Sequence, residues 1–170
     1  MRQFEDEAVG KKGGLVDFRE RRILGRTGLR VCRLGVASSF GVPTEALDDR
    51  FDLFHVRYNA AHRGAEEDIF EKMPDRNRPG LVTYTATRWG DLVQPKRMPR
   101  GEEPLRGADC YRFDSSHPMV DVCITGPKNR EEMREALAAL DLGPLTEEER
   151  ARIRRIGDHE HADFKGRFFR

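Results

Sequence analysis

The sequence predicts an α/β protein built on a parallel sheet. Short segments rich in branched and aromatic residues recur at 34–37, 51–58, 81–85 and 120–124, and stretches with helix-start signals or helical spacing lie between and after them. Strands that are apolar on both faces and alternate with helices belong to sheets covered on both sides. In such sheets the chemistry gathers at the C-terminal strand ends. One strand end stands out: in GLVTYTATRWG, 80–90, an apolar run passes within a few residues into hydroxyls, a cation and two aromatic rings.

Taken in order, residues 1–18 are polar, contain glycine and lack any period, which reads as a loose leader. Arg22-Ile23-Leu24 and Leu29-Arg30-Val31-Cys32 flank the turn-forming Gly25-Arg26-Thr27-Gly28, a hairpin signal. Residues 34–37 form a short strand, and 43–49 open like a helix, with proline in the first turn and acids near its positive end. The alternating run at 51–58 is a strand, 64–73 a helix and 81–85 a strand, while 91–108, with three prolines, is a loop. Residues 108–115 are helical and 120–124 a strand. From 129 to 140 a helix carries Met133, Ala136, Leu137 and Leu140 at helical spacing. A last helix begins at Thr146, whose hydroxyl forms a capping box with Glu149, and ends near Ile156. Residues 19–157 therefore read as one domain and 158–170 as a loose tail.

Charge is balanced, 31 basic residues against 30 acidic ones, which solvates a surface without singling out nucleic acid or an anionic membrane as partner. Cys32, Cys110 and Cys123 have no metal-ligand spacing and read as reduced packing residues. No segment has the apolar length needed to span a bilayer, so the expectation is a cytoplasmic protein without bound metal. His159 and His161, in HEH, are expected in solvent rather than on a metal.

Four stretches resemble the aldo-keto reductases, (β/α)8 barrels that move hydride between NADP(H) and a carbonyl or alcohol. RRILGRTGLRVCRLGVASS is similar to the hairpin at the bottom of that barrel and its first strand, FHVRYNAAHRGAEEDIF to the sixth strand and following helix, GLVTYTATRWG to the seventh strand, and VDVCITGPKNREEMREAL to the eighth strand and nucleotide-binding helix. The resemblance implies that Tyr84 stacks on the nicotinamide and that Thr85, Ala86 and Thr87 pass beside the pyrophosphate. It also implies that Gly126, Lys128, Asn129 and Glu132 hold the adenosine 2′-phosphate and adenine. Tyr58, Asn59 and Trp89 are candidates for the substrate side. Two positions depart from the pattern: Ala136, where many members carry asparagine, and His55, where many carry glutamine.

The same resemblance implies a catalytic aspartate, tyrosine, lysine and histidine on the second to fourth strands, and the chain runs from Asp49 almost directly into Phe51 with no matching segment. The implied architecture is half of a TIM-type barrel, about four parallel strands plus the hairpin, with the first-strand segment beside the eighth-strand segment. Three functional readings follow: an NADP(H)-dependent oxidoreductase with little or no turnover alone, a non-catalytic half-barrel that binds NADP(H) or pairs with a second copy to complete the barrel, and a deletion product without function of its own. Plainer roles stand beside these. Tyr84 and Trp89 can simply cap the sheet, Lys128 and Asn129 can be a surface lysine beside a helix cap, and Tyr58 and Asn59 can serve loop hydrogen bonds.

Overall fold

The computed structural model describes residues 21–31, 36–38, 51–74 and 78–168. The leader, the 43–49 helix and the start of the 34–37 strand lie outside them. The chain divides into two compact units, 1–33 and 34–170, where the sequence led us to expect one domain over 19–157.

In the first unit, β1 (Arg22–Ile23) pairs antiparallel with β2 (Arg30–Val31), with Ile23 opposite Arg30. The turn closes as its composition demands. Gly25 and Gly28 take left-handed backbone at φ 51° and 74°, and the Thr27 hydroxyl donates to Leu24 O at 2.7 Å. The expected hairpin is present, and its apolar side chains Ile23 and Leu29 are about 60% exposed (59% and 61%).

The second unit holds a parallel sheet of β3 (Val36–Ser38), β4 (Leu53–Arg57), β5 (Gly80–Tyr84) and β6 (Val122–Cys123). Its order is β3-β4-β5-β6. This corrects one expectation: Val36 pairs with Phe54 of β4, and β6 lies at the opposite edge, so the first strand does not sit beside the last. Strands consecutive in sequence are usually neighbours in space, and β4, the next strand after β3, takes that place.

Alternation on β4 buries Phe54 and Val56, while Leu81, Val82 and Thr83 of β5 are all buried, the signature of a central parallel strand. Tyr58 anchors the core, its ring 5.7 Å from Phe113 and 5.2 Å from Phe70. The expected 64–73 helix is broken. It runs as α1 (Ala65–Asp68), turns at Ile69 (φ −126°) and resumes as a tighter turn over Phe70–Lys72 that buries both Ile69 and Phe70. The 91–108 segment is not featureless either. Arg88–Val93, tight turns interrupted by a kink at Trp89 and Gly90, and the 3₁₀ turn Pro95–Arg97 carry Leu92 and Met98 inward, and Leu105 follows them.

Three helices follow: α2 (Gly107–Ser115), α3 (Arg130–Leu142) and α4 (Glu147–Phe168). Buried Arg112 on α2 links them, donating to Gly143 O at 2.8 Å, to Pro144 O at 3.1 Å and to both carboxylate oxygens of Glu149 at 2.9 Å. That fork satisfies carbonyls beyond the end of α3 and holds the Glu149 carboxyl down at about 2. The capping box is formed, Glu149 N donating to Thr146 Oγ1 at 3.2 Å and Thr146 N to Glu149 Oε2 at 2.8 Å.

The loose tail expected at 158–170 is instead helix as far as Phe168. Ile153, Ile156, Gly157 and Glu160 form its buried stripe. Gly157 lies against the Ala60–Ala61 backbone so closely that any Cβ would overlap Ala60 O. Beyond it Asp158 pairs with Arg63 at 2.6 Å, Glu160 with Arg88 at 3.4 Å, and His161 Nδ1 lies 2.8 Å from Ala61 O. His161 is therefore engaged by the main chain rather than left to solvent, while His159 is exposed as expected.

Candidate functional site

At the C-terminal ends of β5 and β6 lies a cavity of about 710 Å³. Its first wall is the β5 exit. Tyr84 ends the strand, and Thr85, Ala86, Thr87 and Trp89 continue along the cavity. This wall has an unusual backbone: Thr85, Arg88 and Trp89 are left-handed at φ 66°, 51° and 54°, and Gly90 at 94°. A β-branched threonine there is an outlier that costs on the order of 1–3 kcal/mol unless its surroundings fix it. They do. Asn59 Nδ2 donates to Thr85 O at 3.0 Å, Arg88 N to the same oxygen at 2.8 Å, and Leu92 N to Thr87 O at 3.3 Å. Behind the loop, buried Glu160 of α4 faces buried Arg88.

The second wall is the β6 exit and the start of α3: Ile124, Thr125, Gly126, Lys128 and Asn129. Asn129 caps α3, its Oδ1 accepting from Glu132 N at 2.9 Å, and Glu132 Oε2 reaches back to Lys128 N at 2.8 Å. The third wall is the start of α2, with Arg106, Gly107 and Tyr111. Arg106 donates twice to the Glu135 carboxylate of α3, at 3.0 and 3.3 Å, which lowers the Glu135 pKa. At Gly107 a Cβ would come within 3.3 Å of Glu135 Cβ, so the two helices are close-packed where they border the cavity.

All eight residues expected at a nucleotide line this one cavity, and Trp89, 66% exposed, stands at its mouth. Tyr58 and Asn59 do not line it. The Tyr58 hydroxyl is buried and donates to Glu66 Oε1 at 2.6 Å, and its pKa is pushed up first by burial and then by that hydrogen bond. Asn59 is spent on the loop, holding Thr85 O and accepting from Ala61 N at 3.1 Å. Both are structural by position. The residues missed by sequence reasoning are those of the third wall, Arg106, Gly107 and Tyr111, together with Glu131 and Glu135. Spacing carried one usable signal, the basic residue just before a predicted helix.

The cavity's charges are two cations, Arg106 and Lys128, and three carboxylates, Glu131, Glu132 and Glu135. Arg106 is neutralised by Glu135 and the Glu132 carboxylate is held by Lys128 N, so the Lys128 ammonium and the first main-chain N–H groups of α3 are what a phosphate would meet. Two phenols border the cavity. Tyr111 has its pKa raised, burial being the largest cause. Asp114 is fully buried, which pushes its carboxyl pKa well above the ordinary value, and the Cys123 thiol, itself pushed up to about 12 by burial, lies 3.7 Å from its Oδ2. Among the described residues no group of three or more His, Cys, Asp or Glu is placed to hold a metal ion, and no helix is long and apolar enough to cross a membrane.

No protein-family model matches the chain, and no curated protein matches it significantly. Solved structures do. The aldo-keto reductase AKR11C1 from Bacillus halodurans, holo form, superposes with a TM-score of 0.56 at 19% identity, over 72% of this chain and 49% of that one. The fold is shared with the aldo-keto reductases. The thermostable aldo-keto reductase Tm1743, in complex with the inhibitor epalrestat, matches at 20% identity over 72% of this chain and 47% of that one, with a TM-score of 0.49. This chain spans about half the length of the aldo-keto reductases it matches.

Proposed function

We propose that the chain is a half-barrel of the aldo-keto reductase type that binds NADP(H) in the cavity at the ends of β5 and β6 and transfers hydride poorly or not at all by itself. The observation that carries this reading is the convergence of Tyr84, Thr85, Ala86, Thr87, Gly126, Lys128, Asn129 and Glu132, drawn from two distant sequence stretches, on one cavity. Its volume lies within the range of small-molecule sites. Tyr84 would stack on the nicotinamide and the 85–87 turn would offer its main chain to the pyrophosphate. Lys128 and the α3 N-terminus would meet the 2′-phosphate. When bound, NADPH supplies the hydride; the chain supplies position and charge.

A non-catalytic role is favoured by what borders the cavity. A carbonyl accepting hydride needs a proton donor, and general acid catalysis with its electrostatic support is worth about 10²–10⁴-fold or more. Among the described residues Tyr111 is the only further phenol on the cavity, and its pKa is raised rather than lowered.

The test is NADPH consumption with a panel of aldehydes and quinones beside a binding titration. The expected result is saturable binding with oxidation at the background rate. Turnover well above background that collapses in Tyr84→Ala would overturn the non-catalytic part, and no binding at all would overturn the whole reading.

A further inference from the structure

The apolar stripe of α3 points the wrong way for a finished protein. Met133, Leu137 and Leu140 are 45%, 53% and 80% exposed, while the opposite side, at Glu135, meets α2. Beside it β6 is an edge strand with Val122 53% and Ile124 44% exposed. Ile124 N donates to Thr83 O of β5 at 2.8 Å, so alternation along a parallel ladder turns the main-chain groups of Cys123 to the open side. At the other end of the sheet β3 pairs only with β4 among the described residues. Bare edges flanked by apolar surface are what soluble proteins avoid.

We infer that a second copy of this chain covers this face, β6 of each protomer pairing in parallel with β3 of the other across a two-fold axis that runs along the sheet. Two arguments select that occupant. Both open edges belong to one parallel sheet, so a copy of the chain offers a strand of the required direction at each seam, and making the contact twice closes the ring. Four strands doubled give eight, the number at which a parallel sheet closes around a side-chain-filled interior. The chain is also about half as long as the aldo-keto reductases it matches, so two copies restore their length. The contact is isologous, the same β6–β3 seam made twice about the two-fold, which ends assembly at two. The inference rests on the half-barrel part of the proposed function and not on the nucleotide, and its readout is independent of nucleotide.

Sedimentation equilibrium of the full chain at micromolar concentration is the test, with amide hydrogen exchange at Cys123. The expected mass is twice the chain's 19.6 kDa, with the Cys123 amide protected. Leu137→Glu with Leu140→Glu should give the single-chain mass, unchanged helical circular dichroism and exchange at Cys123 faster by about a hundredfold. Should that variant unfold, Val122→Lys at the exposed edge serves instead, with the same expectation. A wild-type chain that is monomeric at high micromolar concentration, an open-ended ladder of larger species, or a dimer that survives these substitutions would each overturn the inference.

Discussion

At the scale of single residues, the proposed nucleotide site gives Tyr84 and Lys128 different roles. Stacking of a flat ring on an aromatic side chain is worth about 1–3 kcal/mol, so Tyr84→Ala is expected to weaken NADPH and NADH alike by about tenfold or more in a fluorescence titration. Lys128 is exposed and stands among carboxylates, so its contribution is screened to about 1 kcal/mol. Lys128→Ala should weaken NADPH about fivefold and leave NADH nearly unchanged. His62 contributes to the pH dependence of stability. Its ring lies 2.8 Å from Arg57, and burial first, then Arg57, Arg88 and His161, lowers its pKa from 6.5 to about 4. The unfolded chain takes up this proton near pH 6.5 and the folded chain only near 4. Stability therefore falls as pH drops through that window and levels off below it, by an amount that the shift bounds at about 3 kcal/mol and that solvent screening of this partly exposed ring reduces. His62→Gln should flatten that slope in urea melts at pH 5 and 7. Residues of the first two walls are legible in the sequence because each set sits on one contiguous strand exit. Tyr111 and Arg106 are not, because only the packing of α2 on α3 brings them there.

At the scale of elements, α4 departs most from what its sequence suggests. Its buried stripe reads Ile, Ile, Gly, Glu, so hydrophobic periodicity fades at Gly157 although the helix does not. The glycine is there for close approach to Ala60, and the glutamate for Arg88. Gly157→Ala is expected to lower stability by about 1–3 kcal/mol, at the upper end because the obstacle is backbone, read as a drop in thermal midpoint. Glu160→Ala removes one member of a buried ion pair and should cost about 3 kcal/mol. It should also loosen the 85–90 turn, seen as faster amide exchange at Arg88 and Leu92; unchanged exchange there would contradict the bracing role. By contrast β4, β5 and the two caps, at Asn129 and Thr146, follow directly from local pattern and side-chain chemistry.

At the scale of the whole molecule, strand order is the feature no local pattern encodes. Each strand is legible as a strand, but β4 rather than β6 as the neighbour of β3 is settled only in the packed core to which Phe54, Leu81 and Phe113 belong. The outcome is an open sheet with its strand exits on one rim, and on that rim a cavity whose residues come from 84–93, 106–111 and 124–135. The most direct test is titration of the full chain with NADPH, followed through the single tryptophan, Trp89, at the cavity mouth. Saturable quenching that weakens about tenfold or more in Tyr84→Ala is the expected result. Quenching that never saturates, or that is identical in the two proteins, would contradict a nucleotide site at the ends of β5 and β6.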